Sequence, residues 1–503
     1  MQKAQILLDP DFVVGPVRRQ TFGAFVEHLG RCVYGGIYDP THPDVTAEGF
    51  RKDVLKLVRE LGISTVRYPG GNFVSGYKWE DGIGPREKRP RRLDLAWHST
   101  EPNWVGLGEF IAWCRKAEVE PMLAVNLGTR GVSEALELLE YCNHRGDTTL
   151  SDLRAANGSP EPFNVRMWCL GNEMDGPWQT GHKTAREYGR LAAETARAMR
   201  QIDPELKLVA CGSSHLEMPT FGDWEREVLA EAYEQVDYIS AHAYYSEKDG
   251  DYASFLASAV NLDQFIEAVS ATVDAVKVAK GVTKEINISF DEWNVWYVDR
   301  APSQPPTGDD WPIAPALLED HYSVIDAVVV GNLLISLLRH TDRVHSASLA
   351  QLVNVIAPIM TENGGRCWKQ TIFHPFAQAS NLAKGKVLAT KISAPEYHAE
   401  AYGSVPTVDA VATFDEDTRE LVVFAVSRDL AEETELSVRL GGKKLCIKSV
   451  ETYANADFTW KASADDDVSV VPSVNRTAAV TDGVVSIVLP PVSWNMIRCA
   501  VIY

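Results

Sequence analysis

Between residues 21 and 354, short β-branched or apolar runs are each followed by a Gly, Asn or polar cluster and then by a helical pattern, and this unit recurs eight times. The predicted strands span residues 21–26, 64–68, 122–126, 165–170, 207–211, 238–242, 286–290 and 346–350. Helical segments separate them: over 185–200, Tyr188, Leu191, Ala192, Thr195 and Met199 share one face. The rhythm predicts an α/β protein, a (β/α)₈ TIM barrel. A doubly wound sheet has the same alternation, but no Gly-x-Gly-x-x-Gly follows the first strand.

Past residue 383 the helical period stops and two-residue alternation takes over, at 408–414, 421–426, 435–440 and 484–489, with turns at Asp415-Glu416-Asp417-Thr418 and Gly441-Gly442. This predicts a C-terminal β-sandwich, jelly-roll-like, beside the barrel. Ile6-Leu7-Leu8 and Phe12-Val13-Val14 also read as strand and are assigned to that distant sandwich. The expected domains are therefore 16–383 for the barrel, and 1–15 together with 384–503 for the sandwich. A chain of 503 residues exceeds what one core usually supports, which agrees with two domains.

Composition narrows the partners. A hydrophobic fraction of 45% with 23% charged residues is that of an ordinary soluble globular protein. The net charge of −20 repels phosphate backbones and anionic membrane surfaces, so neither nucleic acid nor membrane is expected. Before Asp9 the apolar run is too short for a secretory signal, and the longest apolar stretch, 324–338, contains Asp326 and falls short of a membrane span; a cytoplasmic protein is expected. The eight scattered cysteines form no Cys-x-x-Cys pair and read as buried free thiols.

Barrel enzymes carry their working groups at the C-terminal ends of strands. The fourth predicted strand ends in Gly171-Asn172-Glu173, the seventh in Asp291-Glu292-Trp293-Asn294. Either glutamate alone reads equally well as a solvated loop carboxylate of an acidic chain. Together, each after a strand and among Trp178, Trp293 and Trp296, they match the paired carboxylates of glycoside hydrolysis, with aromatic platforms suited to the apolar faces of a sugar. Other strand ends add Glu27-His28, Arg67-Tyr68-Pro69-Gly70-Gly71-Asn72, His242-Ala243-Tyr244-Tyr245 and Gln351, donors and acceptors for a polyhydroxylated ligand. Gly70-Gly71 is either a tight turn or a close backbone approach to a ligand. His28, His242 and Asp291 could imitate a metal site, but no His-x-His or His-x-x-x-His pair occurs, and no EF-hand or Gly-x-x-x-x-Gly-Lys loop is present, so neither metal nor cofactor is expected. Two loops are long. The one over 72–104 carries Arg86, Lys88, Arg89, Arg91 and Arg92 and reads as a solvated or subunit-contacting basic loop. The one after the seventh strand carries Pro302, Pro305, Pro306, Trp311, Pro312 and Pro315 and is expected to overhang the pocket.

Four separated motifs, Phe22-Gly23-Ala24-Phe25-Val26-Glu27-His28, Arg67-Tyr68-Pro69-Gly70-Gly71-Asn72, Gly171-Asn172-Glu173 and Asp291-Glu292-Trp293-Asn294, occur in an order that resembles glycoside hydrolase family 51, the α-L-arabinofuranosidases of the retaining-barrel clan. The resemblance covers the whole chain. It implies an exo-acting retaining enzyme that releases terminal non-reducing α-L-arabinofuranosyl residues from arabino-oligosaccharides, arabinan or arabinoxylan fragments by double displacement. By the same resemblance, Glu173 is the acid/base and Glu292 the nucleophile. Glu27, Asn72, Asn172 and Gln351 hold furanose hydroxyls, Asn172 that at position 2; Gly71 belongs to the same binding set. Tyr244 stands beside the nucleophile, Arg67 keeps Glu292 ionised, and Trp97 and Trp296 wall the pocket. A homo-oligomer, commonly a hexamer, is also implied. The competing readings are an endo-glucanase or xylanase of the same family, which needs an open cleft, and a non-catalytic carbohydrate-binding protein.

Overall fold

The computed structural model describes residues 1–298 and 304–502; Pro302 lies outside the described residues. Eight parallel strands close a barrel in chain order. They are β1 Gly23–Phe25, β2 Thr65–Tyr68, β3 Glu120–Val125, β4 Met167–Leu170, β5 Lys207–Ala210, β6 Tyr238–Tyr245, β7 Asn287–Val295 and β8 Val344–Leu349. The ring closes where Ser348 and Leu349 of β8 pair with Gly23 and Ala24 of β1. Strands such as β4 are buried along their whole length, because helices cover the outside while side chains fill the inside.

Several strands depart from the expected bounds, β1 and β7 with the most bearing on the site. Arg19–Phe22 is a 3₁₀ turn, so β1 is shorter than predicted; a Cβ on Gly23 would stand 2.5 Å from the Ala347 carbonyl oxygen, and only glycine permits that close entry. Conversely β7 continues past Phe290 to Val295, so Glu292 lies within a strand and not beyond its end. The helix predicted over 185–200 runs from Ala185 to Ile202, opened by a Thr184/Glu187 capping box, and buries Tyr188, Ala192, Thr195 and Met199, with Leu191 half-buried.

The sandwich consists of a five-stranded sheet, ordered Lys391–Ser393, Gln2–Leu8, Thr434–Leu440, Val484–Leu489, Ala479–Thr481, and a seven-stranded sheet, ordered Val13–Pro16, Lys386–Leu388, Val408–Asp415, Glu420–Ser427, Ser493–Ile502, Lys444–Tyr453, Ser473–Val474. The N-terminal segment supplies one strand to each sheet. Gln2–Leu8 runs parallel to Thr434–Leu440 and buries Ala4, Ile6 and Leu8 in the sandwich core. The alternation does not single out Lys444–Tyr453 or Ser493–Ile502: a bulge between Ile447 and Ser449 interrupts the first, and the second is buried almost continuously.

The apolar stretch around Asp326 is the helix Val324–Arg339, buried on all sides between barrel and sandwich. Asp326 caps it, accepting from the Ser323 amide (2.6 Å), the Ser323 hydroxyl (2.7 Å) and the Tyr297 hydroxyl (2.6 Å). Farther along, Asn332 Nδ2 donates to Asp409 (2.7 Å), and Arg428 bridges Asn332 and Asp409 at 2.8 Å each, a fully hydrogen-bonded polar joint to the sandwich. Among the described residues no helix is long and apolar enough to cross a membrane. All eight cysteines are free, but the expectation of uniform burial is corrected: Cys367 is half-buried and Cys446 exposed.

Candidate active site

The C-terminal rim of the barrel opens into a cavity of about 740 Å³ whose wall includes Glu27, Gly71, Asn72, Trp97, Glu173, Tyr244, Glu292, Trp296 and Gln351. Nine of the residues singled out from the sequence are thereby brought to one surface. Arg67 and Asn172 stand directly beneath it, each 1% exposed.

Glu173 follows β4 through a turn in which Gly171 has φ +91° and Glu173 itself φ +42°. A left-handed backbone at a residue other than glycine costs about 1–3 kcal/mol, and such strain persists only where the surroundings enforce it. Here Asp175 provides the anchor, accepting from the Ser214 amide (3.0 Å) and hydroxyl (2.5 Å) of the loop after β5. Glu292 is placed by a different device. The register of β7 slips against β6 between Ser240 and His242, and against β8 between Phe290 and Trp293. In a regular strand Asp291 and Glu292 would face opposite sides; the bulge lets both turn toward the barrel axis, where both meet Arg67 and His242.

The resulting network is dense. Arg67 donates from Nη1 to Glu292 Oε1 (2.7 Å) and from Nη2 to Asn172 Oδ1 (2.5 Å), and its Nε lies 3.7 Å from Asp291. Tyr244 donates to Glu292 Oε2 at 2.7 Å. His242 Nδ1 is 2.9 Å from Glu173 Oε1 and 3.7 Å from Glu292 Oε2, while Nε2 is 2.8 Å from Asp291 Oδ1. Trp178 Nε1 donates to Glu173 Oε2 at 2.6 Å. Glu173 and Glu292 approach within 4.8 Å, oxygen to oxygen.

Burial raises the Glu173 pKa, and the negative charge of Glu292 raises it further, against the donors His242 and Trp178. Burial alone would lower the His242 pKa, but Glu292, Asp291 and Glu173 outweigh it and raise it well above the ordinary imidazole range. Asp291 is likewise pushed up by burial and brought below its ordinary range by Arg67 and His242. Burial pushes Glu27 up to about 8, against the Phe73 amide (2.9 Å) and Trp97 Nε1 (3.0 Å) as donors; Gln351 Nε2 also donates to it (3.1 Å).

A profile described as the α-L-arabinofuranosidase 1 domain matches residues 57–276, and one described as the α-L-arabinofuranosidase C-terminal domain matches 291–493. The chain is 57% identical to an intracellular exo-α-(1→5)-L-arabinofuranosidase of Streptomyces lividans over 99% of its own length and 76% of that protein. It is 53% identical to an exo-α-(1→6)-L-arabinofuranosidase of Bifidobacterium longum over 99% of this chain and 97% of the other. A solved family 51 α-L-arabinofuranosidase from Bifidobacterium longum superposes with a TM-score of 0.95 at 49% identity, covering 99% of both chains. The chain belongs to glycoside hydrolase family 51, the α-L-arabinofuranosidases.

Within this family 51 site, several sequence expectations change. Asn172 is held from both sides, its Oδ1 accepting from Arg67 and its Nδ2 donating to Gln179 Oε1 (3.3 Å). Gly71 serves a close approach, but to a side chain: a Cβ there would stand 2.8 Å from Glu27 Oε2. The loop over 72–104 is not simply solvated, because Arg89 is bound by the Gly84 and Asn103 carbonyls and by Glu109, and Arg92 by Asp81. That bracing presents the hairpin Arg92–Asp94/Ser99–Glu101, from whose turn Trp97 reaches Glu27. The second long loop meets the same hairpin: Trp311 stacks on His98 with centroids 3.7 Å apart, and Thr100 bonds the Trp311 and Pro312 carbonyls. His28 lies apart from His242, with Nε2 hydrogen-bonded to the Tyr68 hydroxyl (2.8 Å) and Nδ1 3.0 Å from a Glu101 carboxylate oxygen.

His242, Asp291 and Gln179 were not assigned roles from the sequence, and Trp178 was read only as an aromatic platform. His242 and Asp291 stood out only as possible metal ligands, and their partnership depends on the β7 bulge, which has no local signature. Glu173, His242 and Glu292 do offer ligand atoms within 4.8 Å of one another. Both ring nitrogens of His242 are already engaged, Nδ1 with Glu173 and Nε2 with Asp291, so the ring ties the two carboxylates together by hydrogen bonds.

Two substitutions test this construction. Arg67→Met leaves Asp291 and Glu292 without their buried cation, and removing one partner of such a cluster costs about 3–5 kcal/mol; chemical denaturation should show a loss of that size together with lost activity, and an unchanged midpoint would contradict the arrangement. Gly71→Ala should displace the Glu27 carboxylate. The expected result is a KM raised about tenfold or more with little change in melting temperature, and unaltered kinetics would show that Glu27 has room to yield.

Proposed function

We propose that this chain is an exo-acting, retaining α-L-arabinofuranosidase with Glu173 as acid/base and Glu292 as nucleophile, and that its preferred bonds are α-(1→5) linkages in linear arabino-oligosaccharides. The observation that carries the reading is the approach of the two carboxylates within 4.8 Å. Retaining pairs stand about 5–5.5 Å apart, whereas inverting pairs need about 6.5–9.5 Å to admit a water between them.

In the first step Glu173 gives its proton to the glycosidic oxygen, the bond from that oxygen to the anomeric carbon breaks, and a Glu292 oxygen bonds that carbon. The leaving sugar departs neutral. Esterification removes the charge of Glu292, one of the causes that raise Glu173, so the pKa of Glu173 falls and it becomes a base. Water then attacks the anomeric carbon, its proton passes to Glu173, and the ester bond returns its electrons to Glu292. Tyr244 and Arg67 each hold one Glu292 oxygen and stabilise it as carboxylate at the start and end of the cycle.

Exo action is supported by the interlocked loops. The Trp97 hairpin and the Trp311 loop meet at the rim, whereas an endo-acting enzyme needs a cleft open at both ends. The α-(1→5) preference rests on the relatives from Streptomyces lividans and Bacillus subtilis, both named exo-α-(1→5)-L-arabinofuranosidases. Those names also support an intracellular location, and the family resemblance supports a homo-oligomer, up to a hexamer. Product analysis on linear α-(1→5)-arabino-oligosaccharides and on arabinose-branched xylo-oligosaccharides tests the reading. Arabinose released stepwise from the linear series is expected; internal cleavage of either substrate, or release from the branched one alone, would overturn it.

A further inference from the structure

We propose that the far half of the cavity is a distal leaving-group subsite, roofed by a turn of the β-sandwich, that takes the second sugar beyond the cleaved bond of a linear oligosaccharide. This rests on the exo-arabinofuranosidase reading above and specifies which part of the substrate chain the protein grips.

The cavity is larger than the reaction at its deep end requires. The furanose to be released is confined among Glu27, Trp97, Tyr244 and Gln351, yet the space continues to about 740 Å³, a volume that encloses ligands much larger than one pentose. Its direction is set by Glu173. The leaving sugar must lie on the side of the acid, and on that side Trp178 holds Glu173 Oε2 and stacks on His215, with rings 6.2 Å apart and 13° from parallel. Beyond His215 the same cavity forms a chamber lined by Ser254, Phe255, Ser258, Asn261 and Phe265 of the barrel helices Tyr252–Leu256 and Ser258–Lys280.

The roof of that chamber comes from a hairpin, Glu396–Ala399 paired with Gly403–Pro406, that joins neither sheet of the sandwich. Arg428 of the sandwich reaches the Pro406 carbonyl at the hairpin's end (3.4 Å), and the hairpin's face packs on the barrel. Ala399 and Val405 pack on Ala257, the Tyr397 hydroxyl donates to the Ala253 carbonyl (3.0 Å), and the Ala401 amide donates to Ser254 Oγ (3.0 Å). Pinned in this way, the turn places Ala401 and the half-buried ring of Tyr402 in the cavity wall. Tyr402 stands near Glu217 and Asp251, and Lys248 lines the same space. An aromatic face ringed by donors and acceptors of both signs suits a neutral polyhydroxylated ring better than it suits an ion. A hairpin that completes no sheet, but is fixed by side chains so that its turn faces a cavity leading to the acid, is accounted for by a ligand in that cavity.

The test compares kcat/KM on linear α-(1→5)-arabinobiose and arabinotriose, with p-nitrophenyl α-L-arabinofuranoside as the reference for chemistry at the deep end. The third sugar of the triose is the one that reaches the chamber. Wild type is expected to favour the triose by about tenfold, and Tyr402→Ala to reduce that preference to about threefold or less while the nitrophenyl rate stays within about twofold. Ala401→Trp, which adds bulk at an exposed turn without removing a contact, should have the same effect and covers the case in which Tyr402→Ala fails to fold. Equal rates on biose and triose in wild type would overturn the proposal, as would variants that lower the nitrophenyl rate in parallel with the triose rate. Absence of nitrophenyl arabinofuranoside cleavage by wild type would instead overturn the underlying activity.

Discussion

Glu292→Ala is expected to lower turnover on the order of 10⁵-fold or more, because no other group can form the covalent intermediate. The substitution also empties a space on the β face of the bound furanose, between Arg67 and Tyr244. Added azide should enter that space and attack the anomeric carbon directly, restoring turnover on a substrate with a good leaving group. The product should be the β-configured arabinosyl azide, with configuration inverted relative to an α-linked substrate. Nuclear magnetic resonance of the azide adduct decides the matter: an α product would mean that the roles of the two glutamates are exchanged.

Glu173→Ala should behave differently with different leaving groups. A nitrophenolate departs without protonation, so the covalent intermediate still forms. An oligosaccharide leaves as an alcohol and needs the proton, so kcat/KM on it should fall by about 10²–10⁴-fold. Azide should now attack the intermediate from the α face and yield the α product. The pH profile gives an independent check. The Glu173 pKa is raised by burial and by the charge of Glu292, so in wild type the alkaline limb of kcat/KM reports its deprotonation and lies above the ordinary carboxylate range. That limb should disappear in Glu173→Ala on the nitrophenyl substrate; a limb that persists unchanged would belong to another group.

The barrel, its strand order and the rim position of both glutamates were legible because each follows from local pattern. An apolar run, a polar cluster and a helix recur, and chemistry sits where the run ends. What the pattern could not carry was non-local. His242 was visible as a histidine at a strand end, but its place between Glu173 and Asp291 requires the slip of β7 against both neighbours. Arg89 appeared as one of a cluster of solvated charges, whereas its guanidinium is held by backbone carbonyls and by Glu109, twenty positions away. Asn172 carried the family motif, but nothing local shows that Arg67 and Gln179 orient its amide. Tyr402 could not be connected with the site at all, since nothing in a sandwich hairpin announces that it packs on helices of the barrel. Local periodicity specifies elements; the contacts that tune a carboxylate come from residues whose proximity only the closed fold creates.

The strand Gln2–Leu8 has a consequence for how the molecule is made. It lies inside its sheet, and its parallel partner Thr434–Leu440 is more than four hundred residues downstream. At a synthesis rate of about 5–20 residues per second, that partner follows roughly 20–90 s after Gln2–Leu8 has been made. During that interval Ala4, Ile6 and Leu8 have no core to enter, and the backbone beside them has no ladder to join. The barrel can assemble while the strand that precedes it waits, and the sandwich segment made after the barrel captures that strand.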